Sequence, residues 1–274
     1  MREYKNKITL TKNARGIYCL DPSVGCNSGI KNNKRGCYND CYAAKSAKLY
    51  GYDFSKTVLR CFENEKHKHQ IVSQISKIKL DFVRMGCSGD PSEDWEHTIS
   101  ILKVISRANK EIVIITKHWI FLTDEHLKYL STINVCINTS VSALDNPQLL
   151  KNCVKQYNRI KPYCKSVLRI VSCDFNKENL TGKRLYDIQD KLFKNESILD
   201  TVLRVNKNNP LVKDGIINIK KASFLGKNCL ISKYNRKTYF GKCSNCHEMC
   251  GVDIKNENYI YQNKPGIIKQ LKLF

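Results

Sequence analysis

The chain has 274 residues, of which 42% are hydrophobic, so it can bury a sizeable core as one large α/β domain. No apolar stretch approaches the length that crosses a bilayer, and the charged residues 1–5 do not resemble a secretion signal; we therefore expect a cytoplasmic protein with no membrane partner. The net charge of +22 predicts attraction to nucleic acid or another polyanion, although lysines spread along the whole chain are equally typical of a biased composition.

The chain contains 14 cysteines, which is an unusual number for this length. In a reducing cytoplasm, closely spaced cysteines indicate metal ligation rather than disulfides. Isolated cysteines in apolar or helical contexts are instead expected to be small buried hydrophobic residues. This second group contains Cys61, Cys136, Cys153, Cys164 and Cys173.

Short β-branched runs alternate with longer amphipathic stretches through the middle of the chain. The predicted strands cover residues 82–85, 111–116, 134–139, 166–171 and 201–205. The predicted helices between them cover residues 93–108, 123–131, 147–160 and 180–193. This alternation implies parallel βαβ units and an α/β fold, namely a partial or full TIM-like (β/α) barrel with mostly parallel strands. We expect the barrel to span residues 1–206 and a small cysteine-rich C-terminal extension to span residues 207–274.

Three cysteines lie ahead of these strands: Cys26, then ten residues, Cys37, then three residues, and Cys41. Three thiolates on a loop that runs into a helix can hold three irons of a cubane cluster and leave the fourth iron open for a substrate or cofactor. A helix that begins near Cys41 points its N-terminal amides at the negatively charged cluster. Zinc is the alternative, and a structural zinc site needs a fourth ligand, which Cys19 or Cys87 would supply.

The segment Cys41-Tyr42-Ala43 resembles the end of the cysteine loop in radical S-adenosylmethionine (radical SAM) enzymes, whose three loop cysteines follow the first barrel strand. The usual spacing in that family is C-x3-C-x2-C, and stretched spacings occur in related phage-encoded families. The resemblance implies a [4Fe–4S] cluster on Cys26, Cys37 and Cys41, with S-adenosylmethionine bound beside Tyr42. It also implies an electron donor such as flavodoxin or ferredoxin.

The second strand ends in Cys87-Ser88-Gly89-Asp90-Pro91, which is similar to the turn that contacts the amino group of the cofactor in that family. The resemblance assigns Ser88, Gly89 and Asp90 to cofactor binding. Asp90 is also the candidate catalytic residue, because an acid at the carboxyl end of a strand can accept hydrogen bonds from an ammonium group. The alternative is a purely structural turn, since Gly and Pro punctuate any loop between a strand and a helix.

The next three strands carry the remaining candidate residues. The third strand ends in Thr116, and the two residues that follow it replace the Asn-Gly of the family. The fourth strand ends with Ser140 and Ser142, similar to the hydroxyl-bearing strand end near the cofactor ribose, although such hydroxyls also cap helices. Arg169 on the fifth strand faces a cofactor carboxylate in this interpretation, with a structural ion pair as the alternative.

A second group of cysteines follows near the C-terminus: Cys229, thirteen residues, Cys243, two residues, Cys246, three residues and Cys250. Gaps of two and three residues let neighbouring thiolates converge on one ion, so we predict a second metal site. Four thiolates suit either zinc or an auxiliary iron–sulfur cluster, and His247 is an alternative ligand.

Three functions account for these features. The first is a radical SAM enzyme that reductively cleaves S-adenosylmethionine to a deoxyadenosyl radical and acts on a nucleic-acid or nucleotide-like substrate. The second is a non-radical barrel enzyme that modifies or exchanges a flipped or single-stranded base, as transglycosylases do, with structural zinc and Asp90 as nucleophile or base. The third is a non-enzymatic zinc protein that binds nucleic acid. We favour the first, because the second gives the N-terminal cysteines no role and the third leaves the polar strand ends unexplained.

Overall fold

The structure is a computed structural model that describes residues 2–31, 41–224, 226–236, 238–243, 246 and 249–252. Its strands are β1 (Thr11–Lys12), β2 (Tyr18–Cys19), β3 (Ser23–Val24), β4 (Val58–Leu59), β5 (Phe82–Met85), β6 (Glu111–Thr116), β7 (Val135–Val141), β8 (Lys165–Ser172), β9 (Ile198–Val205), β10 (Lys220–Phe224) and β11 (Lys227–Ser232). Its helices are α1 (Asn27–Lys31), α2 (Tyr42–Leu49), α3 (Glu65–Ser76), α4 (Trp95–Ile105), α5 (Asp124–Leu130), α6 (Pro147–Ile160), α7 (Leu180–Leu192) and α8 (Pro210–Lys213). None of these helices is long and apolar enough to cross a membrane.

Nine strands form one sheet in the order β1-β2-β5-β6-β7-β8-β9-β11-β10, and β3 pairs separately with β4. Neighbouring strands from β2 through β9 are parallel, whereas β1, β11 and β10 join the sheet in antiparallel fashion. The predicted α/β class with mostly parallel strands is therefore confirmed. Among the described residues, no strand pairing connects β1 with β10, so the sheet has two open edges.

The helices and strands predicted from the sequence are all present, with ends that differ by a few residues. The residues at the N-caps account for where the helices begin. Helix α4 begins later than predicted because the side chain of Asp94 accepts a hydrogen bond from the backbone N–H of His97. Helix α6 begins where predicted, since Asn146 caps it and Pro147 occupies its first position.

The two faces of the parallel strands are covered differently. On the outer face, side chains such as Val83, Ile112 and Ile137 pack against the helices in the largest hydrophobic cluster. On the opposite face, which we call the inner face, a second cluster contains Phe82, Val113, Cys136, Val167 and Leu199. Burial on both faces explains why the strands are continuous apolar runs in the sequence.

The residues after 206 join the same sheet and then return to the inner face. Strand β11 pairs with β9, and the segment 249–252 lies across the amino-terminal ends of the central strands. There, Nδ2 of Asn138 donates to the carbonyl of Cys250 at 3.0 Å, and Nζ of Lys165 donates to the carbonyl of Val252 at 2.6 Å. The division of the chain at residue 206 stays a prediction, but the two parts share one sheet and one core.

Four of the five isolated cysteines are buried, as predicted: Cys136, Cys153, Cys164 and Cys173. The prediction is wrong for Cys61, which is exposed. Its backbone forms an isolated bridge with Lys7, so the local chain is fixed by main-chain hydrogen bonds while the side chain points to solvent.

A buried ion pair joins the loops that follow β6 and β7. Nζ of Lys117 lies 2.6 Å from Oδ2 of Asp145, and the two side chains are 5% and 1% exposed. The same carboxylate oxygen accepts a hydrogen bond from the backbone N–H of Ser142 at 2.8 Å. Removing either partner leaves an uncompensated charge in a buried site.

We expect Lys117→Ala to lower the free energy of unfolding by about 3–5 kcal/mol, because Asp145 is then buried without its counter-ion. Urea denaturation followed by circular dichroism measures this change. The control is Lys183→Ala, which removes an exposed helical pair with Asp187 and should cost less than about 0.5 kcal/mol. Similar losses in both variants would show that the buried pair contributes no more than a surface one.

Candidate functional site

A cavity of about 880 Å³ lies on the inner face of the sheet, at the carboxyl ends of the parallel strands. Parallel sheets bind ligands at this end because the loops that follow the strands meet there. Ten residues that the resemblance assigns to the cluster or the cofactor line the cavity: Cys26, Cys41, Tyr42, Ser88, Gly89, Asp90, Thr116, Ser140, Ser142 and Arg169. Cys37 lies outside the described residues.

Two of the predicted cluster ligands, Cys26 and Cys41, lie in the cavity wall. Cys41 occupies the N-cap position of α2. Burial raises the pKa of its thiol, whereas the nearby backbone N–H groups of Ala44 and Ala43 oppose that rise. The side chain forms no capping hydrogen bond, but a thiolate here would lie at the positive end of the helix.

Glycines bring the cysteine loop against the turn after β5. The backbone N–H of Gly25 donates to the carbonyl of Ser88 at 3.0 Å, and Gly25 forms a bridge with Gly89. A Cβ on Gly89 would lie 2.5 Å from the carbonyl oxygen of Ser23, so only glycine permits this approach. The segments predicted to hold the cluster and the cofactor are therefore in direct backbone contact.

The carboxylate of Asp21 organises the same turn. Oδ1 accepts hydrogen bonds from the backbone N–H groups of Gly86 and Cys87 at 2.9 and 2.8 Å, and Oδ2 accepts one from Ser88 at 2.8 Å. Burial raises the pKa of Asp21, and these hydrogen bonds oppose the rise. Sequence reasoning missed Asp21. The available signal was an acidic residue two positions after β2, next to the apolar Leu20, where an unpaired buried charge would be costly.

The carboxylate of Asp90 accepts four hydrogen bonds within the protein. Oδ1 accepts from the backbone and hydroxyl of Ser92 at 2.9 and 2.8 Å and from Oγ1 of Thr116 at 2.6 Å. Oδ2 accepts from the backbone N–H of Lys117 at 2.7 Å. Desolvation raises the pKa of Asp90 against the effect of these donors. Asp90 and Thr116 thus tie the turn to the end of β6, while Oδ2 retains the capacity to accept another donor.

The serine candidates differ in their surroundings. The hydroxyl of Ser142 donates to the carbonyl of Val171 at 3.0 Å and accepts a hydrogen bond from the backbone N–H of Leu144, two residues further on, which stabilises the turn after β7. Ser140 is half-buried and lies directly opposite Arg169 in the pairing of β7 with β8. Ser140 and Arg169 therefore present a hydroxyl and a guanidinium side by side.

The cavity is strongly cationic. Four arginines line it: Arg15, Arg84, Arg169 and Arg204. Among the described residues, none of the four forms an ion pair with a carboxylate. The two acids in the wall, Asp21 and Asp90, are already bonded to backbone amides. This distribution of charge favours an anionic ligand.

Two further thiols in the wall contact each other. Sγ of Cys87 donates a hydrogen bond to Sγ of Cys19 at 2.6 Å, and Nε of Arg84 lies 3.2 Å from Sγ of Cys87. The pKa of Cys19 is lowered because its sulfur accepts the hydrogen bond from Cys87, and the pKa of Cys87 is raised because its thiol donates it. The sequence did not predict this contact, since the two residues are 68 positions apart.

The structure describes all four cysteines of the second group. Cys243 and Cys250 are buried in the inner-face cluster, whereas Cys229 lies on β11, where its thiol donates to the carbonyl of Ala222 at 3.4 Å. Within the described ranges, no three Cys, His, Asp or Glu side chains form a metal-binding group. A metal held by Cys229, Cys243, Cys246 and Cys250 stays a prediction, and His247 lies outside the described residues.

His118, which follows Lys117 at the end of β6, is buried and has a φ of 51°. Its ring nitrogen Nε2 lies 2.9 Å from Oγ1 of Thr139. Glycine adopts this left-handed conformation at the least cost, so the backbone here has the shape of a glycine turn although the residue is histidine. Burial lowers the pKa of His118 to about 3, so the imidazole is neutral at pH 7.

This burial predicts an acid dependence of stability. The folded protein keeps His118 neutral down to a pH of about 3, whereas the unfolded chain binds a proton below its ordinary pKa of 6.5. Neutral His118 therefore makes its full contribution to the free energy of unfolding above pH 6.5, and this contribution is lost as the pH falls towards 3. Through His118, the free energy of unfolding should fall by about 2 kcal/mol between pH 7 and pH 5. We expect His118→Gln to lack this part of the fall, as measured by urea denaturation at each pH. His69 is exposed, so His69→Gln is the control, and its free energy of unfolding should depend on pH as that of the wild-type protein does.

No protein-family model matches the chain, and no curated protein matches it significantly. The fold and the site define an α/β protein whose mostly parallel sheet carries a cationic, cysteine-lined cavity at the carboxyl ends of its strands.

Proposed function

We propose that the chain is a radical SAM enzyme that cleaves S-adenosylmethionine reductively and acts on a nucleic-acid or nucleotide-like substrate. One observation carries this proposal. Residues that the resemblance assigns to the cluster and the cofactor come from separate segments of the chain, yet ten of them line one cavity. The parallel strands β2 and β5 to β9 follow one another in the sheet, which supports a partial TIM-like barrel.

The residues in the cavity wall fit an iron–sulfur cluster. Cys26 and Cys41 would each bind one iron, and Cys37 would supply the third thiolate. The amides of Ala43 and Ala44 lie in the first turn of α2 beside Cys41, where they would stabilise a thiolate bound to a cluster. Such a cluster requires a reducing compartment, so we infer a cytoplasmic location.

The cavity also fits the cofactor in size and polarity. Binding sites for small molecules commonly enclose about 300–1,000 Å³, and the volume here is about 880 Å³. Arg169 and Ser140 would bind the carboxylate of the cofactor, and Oδ2 of Asp90 would accept a hydrogen bond from its ammonium group. The hydroxyl of Tyr42 donates to the carbonyl of Cys87 and would keep the cluster loop against the cofactor-binding turn.

When bound, the cluster and S-adenosylmethionine supply one-electron cleavage of a carbon–sulfur bond and a deoxyadenosyl radical. The electron would come from a donor such as flavodoxin or ferredoxin. The protein would position the substrate and exclude water, for which Phe54, Ile115 and Leu203 provide apolar lining. The four arginines support an anionic substrate, consistent with a nucleotide or nucleic acid.

The first test concerns the cluster. Anaerobic reconstitution with iron and sulfide should give a brown protein with about four irons per chain that produces deoxyadenosine from S-adenosylmethionine under reduction. We expect Cys41→Ala to lose both the cluster and this activity, whereas Cys61→Ala, at an exposed cysteine away from the cavity, should retain both. Zinc as the sole metal after reconstitution, or unchanged cleavage in Cys41→Ala, would contradict the proposal.

The second test concerns Arg169. Loss of a charged hydrogen bond costs about 1.5–3 kcal/mol, so Arg169→Gln should weaken S-adenosylmethionine binding by roughly ten- to a hundredfold. The iron content should not change, because Arg169 lies on β8, away from the cysteine loop. Equilibrium binding of the cofactor measures the effect, and the exposed Lys207→Gln is the matched loss of one positive charge. Equal affinity in both variants would remove Arg169 from the cofactor site.

A further inference from the structure

Cys19 and Cys87 form a thiol pair that the proposed radical chemistry does not use. Cys19 ends β2, and Cys87 lies in the turn that follows β5. Their sulfur atoms are 2.6 Å apart, and both residues line the cavity.

Two features of the fold hold these thiols in contact, namely a strand pairing and a hydrogen bond to the turn. Cys19 pairs with Arg84 in the parallel register of β2 and β5, which aligns the ends of the two strands. Asp21, two residues after Cys19, accepts the backbone N–H of Cys87 and so fixes the turn. A disulfide bond is about 2.05 Å long, so the sulfurs need to approach by only about 0.5 Å.

The surroundings of the pair differ from those of a buried structural cysteine. Cys87 is half-buried and faces the cavity, whereas Cys19 is 3% exposed. Nε of Arg84 lies 3.2 Å from Sγ of Cys87, and Nδ2 of Asn13 donates to Sγ of Cys19 at 3.4 Å. A cation beside one sulfur and an amide donor beside the other stabilise the negative charge that develops when the pair loses a proton.

We propose that Cys19 and Cys87 are a redox-active cysteine pair that reduces disulfide compounds entering the cavity, by thiol–disulfide exchange. Cys87 is the attacking thiol, because it is the more accessible of the two. Cys19 is the resolving thiol, because it is buried and already in contact with Sγ of Cys87.

The reaction balances without another oxidant or reductant. The pair starts as a thiolate on Cys19 that accepts the hydrogen bond of the Cys87 thiol. The proton of Cys87 passes to Sγ of Cys19 as Sγ of Cys87 attacks one sulfur of a disulfide RSSR, which forms a mixed disulfide and releases one RS⁻. This RS⁻ takes the proton from Cys19, whose thiolate then attacks Sγ of Cys87, forms the Cys19–Cys87 disulfide and releases the second RS⁻, which takes a proton from solvent. The protein thus loses two electrons, and the disulfide is reduced to two RSH. This activity does not depend on the radical chemistry proposed above.

Oxidised glutathione is the probe for this activity. The full-length protein, with the metal content it has on purification, is incubated anaerobically with the probe, quenched with acid, alkylated and digested for mass spectrometry. We expect a Cys19–Cys87 linked peptide pair that is two hydrogens lighter than the two thiol peptides, together with two equivalents of reduced glutathione. Absence of this link under conditions that attach glutathione to the exposed Cys61 would overturn the proposal.

Single variants separate the two roles. In Cys19→Ser, Cys87 should accumulate a stable glutathione adduct, because no resolving thiol remains. In Cys87→Ser, Cys19 should stay a free thiol, since it is only 3% exposed. Cys61→Ser is the control and should leave the link unchanged. An adduct on Cys19 rather than Cys87, or a loss of bound iron or zinc in Cys19→Ser, would contradict the assigned roles and indicate a metal ligand in the second case.

Arg84→Gln tests the pair without removing either sulfur. Loss of the cation raises the pKa of the thiol and lowers the thiolate fraction, and the greater nucleophilicity of the remaining thiolate offsets part of that fall. The rate of link formation should therefore decrease roughly threefold. An unchanged rate would mean that Arg84 does not activate the pair. This measurement remains informative if either cysteine variant fails to fold.

Discussion

The arrangement of the cavity depends on one interaction, the binding of three successive backbone amides by the carboxylate of Asp21. These amides lie where β5 ends and its ladder hydrogen bonds stop, so without the carboxylate they would be unsatisfied. The turn that they form carries Cys87, whose sulfur contacts Cys19, and Ser88, whose carbonyl accepts the backbone N–H of Gly25. The positions of the cysteine loop and of the thiol pair therefore both follow from this carboxylate.

The central fold was predictable because its signals are local. Strands β5 to β8 are largely buried and rich in apolar residues, and Pro147 marks where α6 begins. The edges of the sheet carry no comparable signal, since β1 and β2 have only two residues each. The return of the C-terminal segment to the inner face was also hidden, because Asn138 contacts Cys250 across 112 positions of sequence.

The sequence selected several residues of the cavity wall, but it did not predict their hydrogen bonding. The resemblance selected Asp90 and Thr116 from the order of motifs, and both line the cavity. It did not reveal that Thr116 donates to Asp90, or that three other donors share the same carboxylate. A motif specifies which residue types follow a strand, whereas the partners of a side chain depend on loops that meet only in the folded chain.

Charges in the wall of the cavity and charges on the exposed surface are screened by water and ions to different extents. The total of +22 comes largely from lysines, and charges on an exposed surface are screened over about 8–10 Å at physiological salt. Arg84, in contrast, is 6% exposed, so water and ions screen its field far less. Since Asp21 and Asp90 direct their charge at backbone amides, the arginines have no carboxylate partner among the described residues. An anion beside Arg84 inside the cavity would therefore be held more strongly than the same anion at the lysine-rich surface, so the wall of the cavity, rather than the total charge of the chain, favours an anionic ligand.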